Sequence, residues 1–302
     1  MPNGLTDADW STLLQRIVDK ECTPFVGAGA SAEKVPVASE LAQAWATEYE
    51  YPLADATNLA RVAQFLAVEQ DPVFPKQLLR RQLQQLEPPD FAAPDEPHGV
   101  LADLDLPIYL TTNYDGLMLA ALRARGKQPE RELCGWNDLV RELQPSALDA
   151  GFTPTPSTPL VYHLHGHGDL PQSMVLTEDD YLAFLVRIST DNTVRLLPSK
   201  IRSALATTAL LFVGYSLSDW DFRVLFRGLM GSLGSTLGMT SIAVQLDPSP
   251  EDATAERRAA AQTYLNGYFE QIQTIKVRLY WGDARDFARE LRERWEAFRA
   301  GG

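Results

Sequence analysis

The stretch TPFVGAGASA, residues 23–32, joins a short apolar run to a turn that contains two glycines. Gly27 and Gly29 follow the apolar run in the spacing G-x-G-x-x-A, ahead of a helical pattern. A strand, glycine turn and helix in this order can bring backbone N–H groups close to a phosphate. The dehydrogenase form of the turn needs an acidic residue at the end of the next strand, about twenty residues on, yet Glu48 and Glu50 fall within a helical pattern. A phosphate-loop Gly-Lys-Ser/Thr is also absent, so the turn has neither standard form.

Five more apolar runs of similar length follow along the chain. They occupy residues 108–112, 160–164, 210–214, 242–246 and 277–281. Several are apolar without strict alternation, which is typical of strands that are covered on both faces. Helical patterns separate them, and strands that alternate with helices indicate a parallel sheet. The sequence therefore predicts an α/β fold with a Rossmann-like, doubly wound, mainly parallel six-stranded sheet.

Two stretches between the runs are too long for simple crossovers. The first, about residues 33–105, has helical patterns over 39–49, 57–69 and 76–85, and the second covers about residues 166–206. We expect both to be helical insertions that form a cap over the carboxyl ends of the strands, where such sheets bind ligands. Terminal helices are predicted over 5–20, with Thr6 as N-cap, and over 283–299. Residues 1–302 are predicted to form a single domain.

The composition bears on the partners and the compartment of the protein. The chain has 27 Lys and Arg against 40 Asp and Glu, a formal net charge of -13, so we expect no direct binding of nucleic acid. The two cysteines, Cys22 and Cys134, are typical of a reducing compartment and form no C-x-x-C motif. The N-terminal residues are polar and acidic, and the most apolar stretch, residues 204–215, is too short to span a bilayer. We therefore expect a cytoplasmic protein that does not bind membranes.

Polar residues follow the second apolar run directly, in the segment TTNYD, residues 111–115. At the carboxyl end of a buried strand, Asn113 and Asp115 would face the crevice in which a ligand binds. Either side chain could instead cap the helix that follows. Both interpretations, a helix cap and a site residue, stay open for this segment.

Three of the four histidines fall within five residues of the third run, at His163, His165 and His167. Alternation along a strand would place His163 and His165 on one face, which raises the possibility of a metal site. Only His98 remains to complete an imidazole-rich ligand set, so we predict no metal site and no structural zinc. His165 lies beside a glycine at the strand end, where an imidazole of ordinary pKa, about 6.5, can accept a proton at neutral pH. His163 is predicted to be structural.

The fourth run ends in a segment that again combines glycine and polar residues, GYSLSDWDF, residues 214–222. Ser218 and Asp221 have the spacing of a capping box. Gly214 and Ser216 precede it, where the backbone could approach a ligand a second time.

Taken in order, these segments resemble the SIR2-like (sirtuin-related) family, in the form found in bacterial effectors of phage defence. The matching segments are GAGAS at 27–31, TTNYD at 111–115, HLHG at 163–166, VLTEDDYLAFL at 175–185, GYSLSDWDF at 214–222 and the pair Gly282-Asp283. The resemblance implies that NAD+ is bound as substrate and hydrolysed to nicotinamide and ADP-ribose. It implies that Asn113 and His165 serve the nicotinamide ribose. For Asp115, electrostatic stabilisation of the reaction and a structural role both stay open. The residues matched to the rest of the NAD+ site are Gly27, Ala28, Gly29, Ser31, Gly214, Ser216 and Asp283.

Two features of the deacetylase branch of that family are missing. The chain has no zinc-ribbon cysteines, and no Pro-Asp-Phe-Arg segment follows the glycine turn. Both absences favour an NAD+ glycohydrolase over the first alternative, an NAD-dependent protein deacylase. The second alternative, a non-catalytic sensor of NAD or ADP-ribose, stays open. An unregulated NAD+ hydrolase would drain the cell, so we expect control by homo-oligomerisation or by a separately encoded partner, for example a HerA-type ATPase.

Overall fold

A parallel sheet forms the centre of this computed structural model, which describes residues 4–189, 196–215, 239–246, 254–270 and 276–301. The strands in these ranges are β1 (Cys22–Val26), β2 (Ile108–Thr111), β3 (Glu130–Leu133), β4 (Leu160–His163), β5 (Ala209–Val213), β6 (Thr240–Gln245) and β7 (Lys276–Trp281). Their order in the sheet is β3-β4-β2-β1-β5-β6-β7, and each neighbouring pair is parallel. In the sheet, β2 lies on one side of β1 and β5 lies on the other side. The ends of β1 and β5 are therefore the topological switch point at which such sheets bind ligands.

The doubly wound, mainly parallel sheet is confirmed, but the predicted number of six strands was wrong. The additional strand is β3, which lies at one edge of the sheet and, among the strands described, pairs only with β4. Its sequence, EREL, has three charged residues in four positions, and only its last two residues are buried. An edge strand of this kind has no continuous apolar run, and the sequence pattern therefore did not reveal it.

Helices cover both faces of the sheet. They are α1 (Asp7–Val18), α2 (Ala38–Glu48), α3 (Leu59–Glu69), α4 (Phe74–Gln84), α5 (Pro97–Ala102), α6 (Leu117–Ala124), α7 (Asp138–Leu143), α8 (Glu178–Ser189), α9 (Ser199–Thr207), α10 (Ala255–Glu270) and α11 (Ala284–Gly301). Thr6 caps α1 as predicted, because its hydroxyl accepts from the backbone N–H of Asp9 and the Asp9 carboxylate accepts from the backbone N–H of Thr6. Within the described ranges, no helix is long and apolar enough to cross a membrane.

Alternating side chains of the central strands supply two separate cores. On β1, Val26 joins a cluster with α1, α5, α6 and α11, whereas Phe25 joins a cluster with α8, α9 and α10. All five residues of β1 and all five of β5 are buried. Burial on both faces explains why these strands are continuously apolar in sequence.

A third cluster lies at the carboxyl ends of the strands and joins the two long connections. It combines apolar residues of α2, α3 and α4 with Met174 and Leu176, and the ring of Tyr114, which follows β2, packs against it. Tyr114 Oη also donates to the backbone carbonyl of Val175 at 2.6 Å. The first turn of α8 is attached to the same helices, since Lys76 Nζ of α4 lies 2.8 Å from Asp180 Oδ1. The helices between β1 and β2 and those between β4 and β5 therefore pack together above the switch point.

Candidate functional site

The glycine turns after β1 and β5 pack backbone against backbone. Gly29 N donates to Gly214 O at 2.8 Å, and Gly27 N donates to Val213 O at 2.8 Å. Gly214 has a φ of +81°, and a Cβ atom there would lie 2.2 Å from Ala30 N and 2.7 Å from Gly27 O. Both the left-handed backbone and the close approach require glycine at position 214. The two turns thus form one unit at the switch point.

A cavity of about 990 Å³ opens beside this unit. It is lined by residues 28–34 of the first turn, residues 96–98 at the start of α5, Gly214 and Tyr215, residues 244–246 at the end of β6, and residues 282–285 at the start of α11. Pockets for small ligands and cofactors typically measure about 300–1,000 Å³. The cavity is therefore large enough for a dinucleotide.

The glycine turn offers fewer N–H groups than its sequence suggests. Gly27, Gly29, Ala30 and Ser31 already donate to backbone carbonyls of this turn and of the β5 end. The N–H groups of Ala28, Ala32 and Glu33, in contrast, have no acceptor among the described residues, and all three residues line the cavity. In this conformation these N–H groups of the turn therefore remain as donors for an anionic ligand.

Asn113 connects the end of β2 to the glycine turn. Its Nδ2 atom donates to Gly27 O and to Ser31 Oγ, both at 3.2 Å. Because a carbonyl can only accept, these contacts fix which amide atom faces the turn. The Asn113 backbone is held as well: its N–H donates to Thr111 Oγ1 at 2.9 Å, and its carbonyl accepts from His163 Nδ1 at 3.0 Å. The Asn113 Oδ1 atom has no hydrogen-bond partner in the described part of the chain.

The two interpretations of the TTNYD segment divide between its two polar residues. Asp115 Oδ1 accepts from the backbone N–H of Leu117 at 2.9 Å and so supports the start of α6. Asp115 Oδ2 accepts from Ser31 Oγ at 3.2 Å. Among the described residues, the Asn113 side chain makes no hydrogen bond with the start of α6. Asp115 is thus a cap that also contacts Ser31, whereas Asn113 supports the glycine turn. Neither side chain lines the cavity, and both are joined to its lining through Ser31.

Two site residues that the sequence analysis did not assign, Glu96 and His98, extend this network. His98 Nε2 lies 3.4 Å from Ser31 Oγ, and His98 Nδ1 donates to Glu96 Oε1 at 2.7 Å. Both side chains are buried and line the cavity. The sequence signal for them was the order Glu96-Pro97-His98, in which Glu96 is the N-cap of a helix that begins with proline.

His165 occupies a different environment from Asn113. Its ring packs edge-on against Tyr181, with centroids 5.5 Å apart, and against Phe184 at 5.0 Å. Tyr181 also lines the cavity, whereas His165 does not. His165 Nε2 is buried without a hydrogen-bond partner among the described residues, and burial lowers the pKa of the imidazole to about 3. The side chains of α8 therefore cover His165, and the ordinary imidazole pKa that the sequence analysis assumed does not hold here.

The prediction that His163 and His165 share one strand face was wrong, because β4 ends at His163. The His163 ring contacts His167, with centroids 4.9 Å apart, while His165 turns towards Phe184 in the other core. His163 holds the Asn113 carbonyl, which is the structural role predicted for it. Within the described residues, no group of three or more His, Cys, Asp or Glu side chains could hold a metal ion.

The remaining predicted residues lie at the end of the cavity next to α11 or outside the described ranges. Asp283 lines the cavity and supports the start of α11, since its Oδ1 accepts from the N–H groups of Arg285 and Asp286, both at 2.8 Å. Arg285 pairs there with Glu33 and with Asp95. Ser216 and the capping box of Ser218 and Asp221 lie outside the described residues.

The sequence of the chain is similar to a known domain family and to several known proteins. A family model described as "SIR2-like domain" matches residues 107–270. The chain is 28% identical over 228 residues to "NAD(+) hydrolase ThsA" of Cytobacillus dafuensis, covering 73% of this chain and 41% of that protein. It is 28% identical over 199 residues to "NAD(+) hydrolase ThsA" of Enterococcus faecium, covering 65% and 37%. It is 27% identical over 170 residues to "Defense-associated sirtuin 2" of Bacillus subtilis, covering 53% and 15%. The chain thus spans about two-fifths or less of these relatives' lengths.

Proposed function

The chain belongs to the SIR2-like domain family, and from this premise we propose that it hydrolyses NAD+ to nicotinamide and ADP-ribose as an effector of antiphage defence. The relatives named NAD(+) hydrolase support the reaction, and the relative named defence-associated sirtuin supports the setting. The cavity beside the two glycine turns supports NAD+ as the substrate, because it combines sufficient volume with free backbone donors at the switch point.

The observation that carries the proposal is the orientation of Asn113. Its Nδ2 is committed to Gly27 and Ser31, so Oδ1 is left as a fixed acceptor at the end of β2. A fixed acceptor can hold a ribose hydroxyl or a water molecule in the position that the reaction needs. In the reaction the bond between ribose and nicotinamide breaks, its electron pair leaves with neutral nicotinamide, and water adds to the ribose carbon with loss of a proton. No general acid is needed for this leaving group, so positioning is the main task of the site.

We propose that His165 accepts that proton only after α8 moves. In the described conformation Tyr181 and Phe184 cover the ring, and a pKa of about 3 makes it a weak base. Exposure to water would raise the pKa towards its ordinary value of about 6.5, which suits a base at neutral pH. Displacement of α8 is the step that homo-oligomerisation or a separately encoded partner would control, and we propose control of this kind.

The test compares two asparagines with different contacts. Asn113→Ala should lower NAD+ turnover by about 10²–10⁴-fold, the usual contribution of a positioned catalytic group. Asn137 is the matched control: its Oδ1 caps α7 by accepting from the N–H of Val140 at 2.8 Å. Asn137→Ala should cost about 0.5–2 kcal/mol of stability and leave turnover per folded molecule unchanged.

The measurement is release of nicotinamide from NAD+, with thermal melting of each variant. An Asn113→Ala protein that turns over NAD+ as fast as the Asn137→Ala protein would contradict the proposal. Incubation with NAD+ and an acylated peptide distinguishes the alternatives: peptide-dependent nicotinamide release indicates a deacylase, and binding of NAD+ without any release indicates a sensor.

A further inference from the structure

A continuous line of buried polar side chains runs from α5 to the Asn113 amide. Glu96 Oε1 accepts from His98 Nδ1 at 2.7 Å, and His98 Nε2 lies 3.4 Å from Ser31 Oγ. Ser31 Oγ in turn accepts from Asn113 Nδ2 at 3.2 Å. The exposed fractions of Glu96, His98 and Ser31 are 6%, 1% and 4%, so these contacts are largely shielded from bulk water. The three residues also line the cavity.

The hydrogen-bonding capacities of these groups fix the His98 ring. A carboxylate can only accept, so Nδ1 of His98 must carry a hydrogen, and in the neutral imidazole Nε2 then presents a lone pair to Ser31. The Ser31 hydroxyl has one hydrogen, for which His98 Nε2 and Asp115 Oδ2 compete at 3.4 Å and 3.2 Å. One of its two lone pairs is used by Asn113. The second lone pair remains for a ligand in the cavity.

We propose that Glu96 is a positioning residue of this site: through His98 it keeps the Ser31 hydroxyl able to accept from a bound ligand while that hydroxyl holds the Asn113 amide. This inference rests on the proposed NAD+ hydrolysis. The ribose hydroxyls of NAD+ are the donors from which Ser31 Oγ would accept a hydrogen bond. Glu96 does not contact the reacting atoms, and it acts on them only through the two intervening side chains.

A capping role alone does not explain Glu96. Its Oε2 atom accepts from the backbone N–H of Gly99 and so caps α5. A serine or asparagine could also supply one cap acceptor. The second oxygen of a carboxylate is what allows the same residue to accept from the histidine.

Glu96→Gln separates the two roles because it keeps the shape of the side chain. The Gly99 N–H can only donate, so the glutamine Oε1 must face it, and Nε2 must then face His98 Nδ1. His98 is forced to carry its hydrogen on Nε2 instead, from which it donates to Ser31 Oγ. Ser31 then accepts from both His98 and Asn113 and has no lone pair left for a ligand. We expect turnover of NAD+ to fall about 10–100-fold, as for other residues that orient a site residue, mainly in kcat.

The control is Glu132→Gln, which changes another buried glutamate. Glu132 accepts from Ser146 Oγ and, at 3.3 Å, from the backbone N–H of Leu148, and it does not line the cavity. Both variants are measured for melting temperature, kcat, KM and the side-chain ¹⁵N NMR shifts of the histidines, with the His98 signals assigned by their loss in His98→Gln. The proposal requires that Glu96→Gln reverse the His98 tautomer and lower kcat, whereas Glu132→Gln does neither.

Two results would overturn the proposal: a loss of kcat with the His98 tautomer unchanged, or a reversed tautomer with kcat unchanged. If the wild-type protein releases no nicotinamide, the hydrolysis proposed above fails on its own. The affinity for NAD+ then replaces kcat as the readout. A reversed tautomer with wild-type affinity would in that case contradict a positioning role for Glu96.

Discussion

Replacing Gly214 with alanine would insert a methyl group between the two glycine turns of the site. The left-handed backbone at a φ of +81° costs a non-glycine residue about 1–2 kcal/mol, partly offset by about 0.4–1 kcal/mol from the reduced entropy of the unfolded chain. The methyl carbon would also lie 2.2 Å from Ala30 N and 2.9 Å from the Gly29 carbonyl carbon. No rotamer can relieve a contact with backbone atoms, so the turns must separate. Overpacking of this kind costs about 1–3 kcal/mol more.

Gly126 provides a control with the same backbone conformation and no close contact. Its φ is +74°, and a Cβ atom there would meet nothing within 4 Å. Gly126→Ala should therefore destabilise the protein by about 0–1.6 kcal/mol, whereas Gly214→Ala should cost about 1–3 kcal/mol more than that. Only Gly214→Ala should weaken binding of NAD+, because separation of the turns displaces Ala28 and Gly29 from the cavity wall.

The assay is urea unfolding of both variants, together with calorimetric titration of each with NAD+. Equal losses of unfolding free energy in the two variants would show that the close approach of the turns contributes nothing. A Gly214→Ala protein that binds NAD+ with wild-type affinity would refute the link between this approach and the site.

Two further predictions concern the histidines that follow β4. Burial lowers the pKa of both His163 and His165 to about 3, so between about pH 6.5 and pH 3 the unfolded chain binds more protons and stability falls as the pH falls. Each imidazole should lower the free energy of unfolding by about 2 kcal/mol at about pH 5 relative to pH 8. In urea titrations, His163→Asn should remove the part of this pH dependence that comes from His163. An unchanged pH dependence would contradict the lowered pKa of His163. Tyr181→Ala should speed the modification of His165 by diethylpyrocarbonate, measured by mass spectrometry. A modification rate equal to that of wild type would show that Tyr181 does not cover the His165 ring.

The fold could be predicted to the extent that burial determines sequence. Strands β1 and β5 are covered on both faces, so every residue had to be compatible with an apolar interior, and the pattern was visible. The edge strand β3 carries Glu130 and Arg131, which are not buried, and Glu132, which is buried but accepts hydrogen bonds from Ser146 and Leu148. Thr6 could be recognised as a cap because its partner Asp9 is three residues away, within reach of any sequence pattern.

The site was predictable only where a residue acts close to a strand end in the sequence. Asn113 and Gly214 directly follow strands, so the topology of a parallel sheet already places them at its carboxyl edge. His98 and Ser31 are separated by 67 positions, and only the packing of α5 brings them together. No local pattern distinguishes a glutamate that caps a helix from one that also orients a histidine, and Glu96 was therefore missed.

The three histidines after β4 have different roles because the strand ends at the first of them. His163 still follows the strand geometry, and its Nδ1 reaches the Asn113 carbonyl on the neighbouring strand end. The chain then leaves the sheet, and Gly166, with a φ of +85°, lies so close to Ser173 that a Cβ atom would be 2.1 Å from its carbonyl oxygen. His165 lies between the end of β4 and this turn, and its ring packs against Tyr181 and Phe184 of α8. Because His163 ties the strand end to Asn113, we expect exposure of His165 to come from displacement of α8 and not from movement of β4.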